Sequence, residues 1–136
     1  MCGDTTMTLE DELTSAAAKG NTADVRALLE KGAQVNGKNR FGQSALQVMM
    51  MGSTSVAQLL LDHGADPNVA DNSTGTTPLH DAAREGFLDT VRLLERHHAD
   101  PQAKDKLNRL PIDLARLRGH GDVVNFLESL QNGYNP

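Results

Sequence analysis

A leucine-type residue returns every 33 positions in this chain, at Leu13, Leu46, Leu79 and Ile112. A glycine follows each of them, at Gly20, Gly52, Gly86 and Gly119, after seven residues in three cases and six in the second. A period of this length means a unit of one supersecondary element, too small to bury its apolar face alone, so stacking must supply the core. The shortened interval marks one unit that departs from the rest. Its missing residue is regained downstream, where Gly64 to Leu79 spans fifteen positions instead of fourteen.

Each unit has one grammar. Gly42, Gly75 and Asn108 stand four residues before their anchors, as turn residues suited to positive φ. A short first helix follows, and its fullest form is Thr77-Pro78-Leu79-His80-Asp81-Ala82. Thr77 is placed to cap it, and Pro78 occupies the first helical position, where a missing N–H costs little. Leu110 to Ala115 repeats the form, glycine then breaks the chain, and a second helix returns. That helix carries the apolar stripe: Val25, Leu28 and Leu29; Val56 and Leu59 to Leu61; Val91, Leu93 and Leu94; Val123, Val124 and Leu127. Asp66-Pro67 and Asp100-Pro101 stop two of these helices, and His98 stands where glycine would cap best, which predicts a strained cap.

The run Thr77 to Ala82 fits the T-P-L-H-x-A pattern, and with the 33-residue period it identifies ankyrin repeats. The expected fold is an all-α ankyrin-repeat solenoid of four helix-turn-helix units joined by β-turn-like loops. The units are placed at about 9–38, 39–71, 72–104 and 105–131, with flexible tails at 1–8 and 132–136. Four units are near the minimum for such a stack, so stability is expected in the lower part of the usual ~5–15 kcal/mol.

A net charge of -5 and a pI near 5.4 argue against nucleic-acid binding. So does the scarcity of aromatic residues, which are only Phe41, Phe87, Phe126 and Tyr134. The basic residues Arg96, Arg109, Arg116 and Arg118 are interspersed with acids and read as solvated faces. Cys2 is the one cysteine, so no internal disulfide is expected. The chain opens without a signal-peptide pattern, and apolar runs such as Val48–Met51 are too short for a bilayer. An intracellular protein, cytoplasmic and nuclear, is expected, monomeric because its stacking is satisfied within the array. His63, His80, His97, His98 and His120 lack the paired spacing of a zinc site, so neither metal nor cofactor is expected. Gly119-His120-Gly121 lacks the Lys-Ser/Thr of a phosphate loop, and the chain does not read as an enzyme.

The second unit breaks the pattern. Met49 and Met50 stand where the third unit has Ala82 and Ala83, and a regular helix would be overpacked by them. A helix of about one turn is expected, with both methionines turned partly outwards. Two readings of Val48–Met51 stand side by side. One is a repacked core, since methionine fills irregular gaps. The other is a partner-binding ridge, to which Asp71, Asp81 and Asp89 would add carboxylates on one concave face for a basic partner. Taken alone, Asp81 reads as a surface partner of Arg84 or Arg92, Phe87 as packing between repeats, and His80 as a structural histidine bonded to a neighbouring loop.

Val48–Ser53, Leu59–Ala65 and His80–Thr90 resemble the small ankyrin-repeat inhibitors of cyclin-dependent kinases 4 and 6, which also have an abbreviated second repeat. The resemblance covers all four units. It implies a protein that binds the monomeric kinase beside its ATP cleft, touches both lobes, displaces the helix that cyclin grips and distorts the nucleotide site. On the same ground Asp81 matches an acidic partner for a kinase arginine, and Asp71 and Asp89 match further acidic contacts. Val48, Met49 and Met50 match an apolar contact, with Gln47, Arg84 and Phe87 as weaker matches. Thr77, Pro78, Leu79, His80 and Gly86 belong to the structural motif. Asn21 and Ala23 replace charged residues that contact the kinase in some relatives, so the first unit is expected to contribute less. The alternative is a generic ankyrin scaffold that binds another intracellular protein on the same face.

Overall fold

The computed structural model describes residues 8–132, with side chains as far as Leu130. The two expected tails therefore lie, but for Thr8 and Asn132, outside the described residues, as do Cys2 and Tyr134. Eight helices and no strand are found among the described residues. The chain divides after Asp66 into two compact units, each built from two helix pairs.

The first unit holds α1 (Leu9–Lys19), α2 (Thr22–Glu30), α3 (Ala45–Val48) and α4 (Thr54–Asp62). Here α1 packs on α2 and α3, and α2 packs on α4. The second unit holds α5 (Pro78–Glu85), α6 (Leu88–Arg96), α7 (Pro111–Leu117) and α8 (Gly121–Asn132). Here α5 packs on α6 and α7, and α8 packs on α6 and α7. The four anchors fill equivalent slots: Leu13 and Leu79 are fully buried, Leu46 is 1% exposed and Ile112 4%. Val25, Leu28, Val56, Leu59 to Leu61, Val91, Leu93, Leu94, Val123 and Leu127 are buried with them, while Leu29 and Val124 are half-buried.

The helices start as their side chains dictate. Thr77 Oγ1 accepts the His80 N–H at the head of α5, and Pro78 takes the first helical position. In α1 the capping is reciprocal: Thr8 Oγ1 accepts the Asp11 N–H at 3.1 Å, and the Asp11 carboxylate accepts the Thr8 N–H at 3.3 Å. The positive-φ expectations hold at Gly42, Gly75 and Asn108, with φ of 75°, 74° and 63°. His98 also lies at φ 74°, a conformation with a steric cost for any side chain.

Between the repeats of each unit, one asparagine forms a two-bond bridge. Asn36 donates its amide N–H to the Gly64 carbonyl at 3.0 Å and accepts the Asp66 N–H at 2.7 Å. Asn68 does the same in the second unit, to the His98 carbonyl at 3.0 Å and from the Asp100 N–H at 2.7 Å. These bonds satisfy backbone groups in the loops that follow α4 and α6, past the cap of each helix.

The extra loop residue is absorbed in a turn. Asn39, Asp71 and Asp105 each come seven residues after Gly32, Gly64 and His98. Asn39 N–H pairs with the Gln43 carbonyl and Asp105 N–H with that of Arg109, each four residues on. Asp71 N–H reaches the Thr76 carbonyl, five residues on, at 2.8 Å. The wider turn leaves Leu79 in register.

Candidate partner-binding site

In the first unit, α3 ends after Val48 because Met49 leaves the helical region, at φ -57° and ψ 156°. Successive side chains in a helix lie about 100° apart, whereas extended backbone sends neighbours to opposite sides. Met49 therefore turns in and Met50 turns out. Met49 is 3% exposed, whereas Met50 is 49% exposed. The expectation that both methionines turn partly outwards is corrected at Met49, a core side chain unable to serve as a surface contact.

Stopping the helix frees the Met50 N–H, which donates to the Ala17 carbonyl at the end of α1, at 2.9 Å. The Met50 side chain lies across Gly20, where an added Cβ would meet its sulfur at 2.9 Å. Glycine there has φ 71° and permits this approach. Gln47 turns back on its own helix, its Oε1 accepting the Ser44 N–H at 2.7 Å. Val48 is half-buried and lines a groove of about 470 Å3 with Thr14, Ala18, Phe41 and Gln43. Phe41, 76% exposed at the groove, is an apolar surface group that the sequence reading left unassigned.

In the second unit, His80 is fully buried, and both ring nitrogens are bonded. Nδ1 accepts the Thr77 N–H at 3.1 Å, so Nε2 carries the proton and donates to the Arg109 carbonyl at 2.8 Å. Burial holds this imidazole below its ordinary pKa, against the bond to Arg109. The structural reading of His80 stands on those bonds. Gly86 closes α5 at φ 81°, and a Cβ there would meet the His120 ring at 2.5 Å.

One residue past His80, the Asp81 side chain is 22% exposed. Arg84 approaches its carboxylate at 3.2 Å and also contacts Glu85 at 3.3 Å. Arg92 instead lies over the Phe126 ring, 5.2 Å from its centroid. Burial pushes the Asp81 carboxyl up to about 6, Arg84 opposes the shift, and the nearby Asp71 and Glu85 reinforce it. One guanidinium is thus shared by two carboxylates with the charge of Asp71 nearby, and Asp81 is ionised at neutral pH against the preference of its surroundings.

The remaining residues are placed as follows. Asp71 accepts the Ser73 and Thr74 N–H groups at 2.7 and 3.0 Å, holding the widened turn. Asp89 is exposed in the first turn of α6. Phe87 precedes α6 and is 43% exposed, so it is not a core side chain. Asp105, which the sequence reading did not single out, is the buried counterpart of Asp71. Its Oδ1 accepts the Leu107 and Arg109 N–H groups, and its Oδ2 meets Arg109 Nε at 2.9 Å. Burial raises its pKa, but those bonds outweigh the effect and leave it lowered. The identity of the residue seven after each second-helix cap was the available signal.

Residues 13–105 match the family model for ankyrin repeats, in three copies. The helix pair α7–α8 continues the array beyond that match. The chain is 58% identical over 120 residues to cyclin-dependent kinase 4 inhibitor B of Homo sapiens, covering 88% of this chain and 87% of that protein. It is 54% identical over 123 residues to cyclin-dependent kinase inhibitor 2A of Homo sapiens, covering 90% and 79% respectively. Cyclin-dependent kinase 4 inhibitor B of Bos taurus is 55% identical over 118 residues, with 87% and 90% covered. With the abbreviated α3 and the His80–Asp81 segment in the places described, the chain belongs to the ankyrin-repeat family of cyclin-dependent kinase inhibitors.

Proposed function

We propose that this protein inhibits cyclin-dependent kinases 4 and 6 by binding the monomeric kinase and holding it in an inactive arrangement, so restraining G1 progression. The inhibitor does no chemistry. It binds one conformation more tightly than another and shifts the population by that difference. The observation that carries the reading is Asp81, a half-buried carboxylate kept charged among other acids and facing an arginine that it shares with Glu85. A group maintained at a cost to the fold is a candidate for function. A kinase arginine would give it the charge-assisted bond that Arg84 supplies only in part.

Met50 supplies the apolar contact in the first unit, with Val48 and Phe41 beside the groove. Asp71 and Asp89 add carboxylates in the second unit, and Phe87 adds an exposed ring. Arg84 is a positioning residue that must share or release Asp81 when the partner arrives. Gln47 acts through the α3 cap. The proposed setting is the cytoplasm and nucleus, with the chain acting as a monomer. No helix among the described residues is long and apolar enough to cross a membrane.

The test is calorimetry with purified cyclin-dependent kinase 6. Binding is expected, with retention of kinases 4 and 6 but not kinase 2 from a defined mixture. Asp81→Ala should weaken binding by roughly 2–4 kcal/mol, the cost of truncating one partner of a buried interfacial charge pair. A chain that is folded by circular dichroism yet leaves kinases 4 and 6 unbound would return the account to a generic ankyrin scaffold.

A further inference from the structure

Asn36 is followed by Gly37, and its twin Asn68 by Val69. The two asparagines make the same pair of bonds in their own units, so the residue that follows is the informative difference. Glycine has no Cβ to shield its backbone nitrogen from the preceding side chain, and it bends freely into a five-membered ring. The β-branched Val69 resists both. Asn36 is exposed, so water reaches the amide.

We infer that Asn36 is a self-modification site, where spontaneous deamidation removes the donor that ties the first repeat to the second. The Gly37 nitrogen gives its proton to hydroxide and attacks the Asn36 Cγ. The N–Cγ bond forms, the Cγ–Nδ2 bond breaks, and the leaving nitrogen takes a proton and departs as ammonia. Water then opens the cyclic imide at either carbonyl, giving aspartate or isoaspartate at position 36. The net change consumes one water and releases one ammonia, with no oxidant or reductant.

Three bonds restrain the reaction in the folded chain. Gly37 N–H donates to the Gln34 carbonyl at 2.9 Å, and the Asn36 amide is held by Gly64 and Asp66. The reaction therefore proceeds when this turn opens, and its product favours opening further. A carboxylate retains the acceptor for Asp66 N–H but turns an oxygen towards the Gly64 carbonyl, where a donor had been. Two acceptors facing each other replace a bond. In isoaspartate the main chain also gains a carbon and the turn loses its register. Because the released ammonia is not regained, loss of the bridge is permanent, and the chain records its own age and its own openings.

The experiment ages the full chain at body temperature, at neutral and mildly alkaline pH, with and without urea, and maps its peptides by mass spectrometry. The expected result is the mass gain of one amide-to-acid exchange at Asn36, as both aspartate and isoaspartate, while Asn68 stays unchanged. Alkali and urea should both speed it. Peptide mapping separates this site from Asn132–Gly133, the chain's other such pair. Separately made Asn36→Asp should unfold at lower urea than the parent, by roughly five- to tenfold in the folding equilibrium, as one lost bond implies. Equal rates at Asn36 and Asn68, or no conversion at Asn36 while the urea-unfolded chain converts, would overturn the inference. So would an Asn36→Asp chain as stable as the parent. If that variant does not fold, the mapping on the parent chain still decides.

Discussion

The first helix of the second repeat runs four residues, Ala45–Val48, while that of the third runs eight, Pro78–Glu85, although both follow a hydroxyl residue and bury the same anchor leucine. In α5 two small residues, Ala82 and Ala83, are fully buried and the helix continues to a glycine cap. In the second repeat two methionines replace them, one residue is missing, and the chain leaves the helix at the first methionine. Nothing is lost from the core, because extended backbone delivers Met49 inwards. What is gained is a side chain outside, since Met50 occupies the position at which Ala83 is covered. The comparison teaches that one repeat can exchange helical regularity for an apolar surface group while its neighbours keep the register. The third repeat does the converse, keeping its helix intact to carry a carboxylate in surroundings that disfavour its charge.

Six substitutions break or sharpen this contrast. Met49→Ala should cost about 2–4 kcal/mol of stability in a urea melt, as for other buried methionines, whereas Met50→Ala should cost less than about 1 kcal/mol. Equal costs would mean that the in-and-out alternation is wrong. Gly86→Ala should cost about 2–3 kcal/mol, from the left-handed backbone and the His120 ring together. Gly64→Ala, with open space around it, should cost only about 1 kcal/mol.

Asp81→Asn should stabilise the isolated chain by about 1–2 kcal/mol at neutral pH, less than the full shift implies because Arg84 loses its partner. The sign follows from proton linkage. Between the ordinary 3.8 and about 6 the folded chain binds more protons at Asp81 than the unfolded chain, so this group makes stability fall as pH rises. Asp105 and His80 act in the opposite sense. The lowered Asp105 contributes stability that is lost as pH falls below the ordinary carboxylate range. The lowered His80 loses stability as pH falls through 6.5, where the unfolded imidazole takes a proton and the folded one does not. Comparing the pH–stability profiles of parent and Asp81→Asn isolates the first effect. Smallest of all, His98→Gly should add about 0.5–1 kcal/mol by giving α6 the cap that Gly64 gives α4. A loss would show that the His98 side chain contributes more than its backbone costs.

Much of this was legible in the residues, for definite reasons. Positive φ leaves a mark in sequence, so Gly42, Gly75, Asn108 and His98 were all found. Capping chemistry is local, so Thr77 and Pro78 were too. The His80 reading succeeded because the repeat motif carries its hydrogen-bond partners along with it. The one turn of α3 was legible, but not the extended backbone that follows it, which sends Met49 and Met50 to opposite sides instead of both outwards. Asp71 illustrates a different limit. Counting from the anchor leucines hides its kinship with Asn39 and Asp105, because the inserted residue lies between. Counting from the preceding helix cap reveals it, and with it the turn that Asp71 holds. Exposure of Phe41 and Phe87 is a matter of which neighbours reach them, and no periodicity encodes that.

The most direct test is calorimetric titration of cyclin-dependent kinase 6 with the parent chain, Met50→Ala and Asp81→Ala, each first shown to be folded. The account predicts that the parent binds, that Met50→Ala weakens binding by roughly 1–2 kcal/mol as a moderate contact residue, and that Asp81→Ala weakens it by more. Folded variants that bind as tightly as the parent would contradict it, as would a folded parent that does not bind.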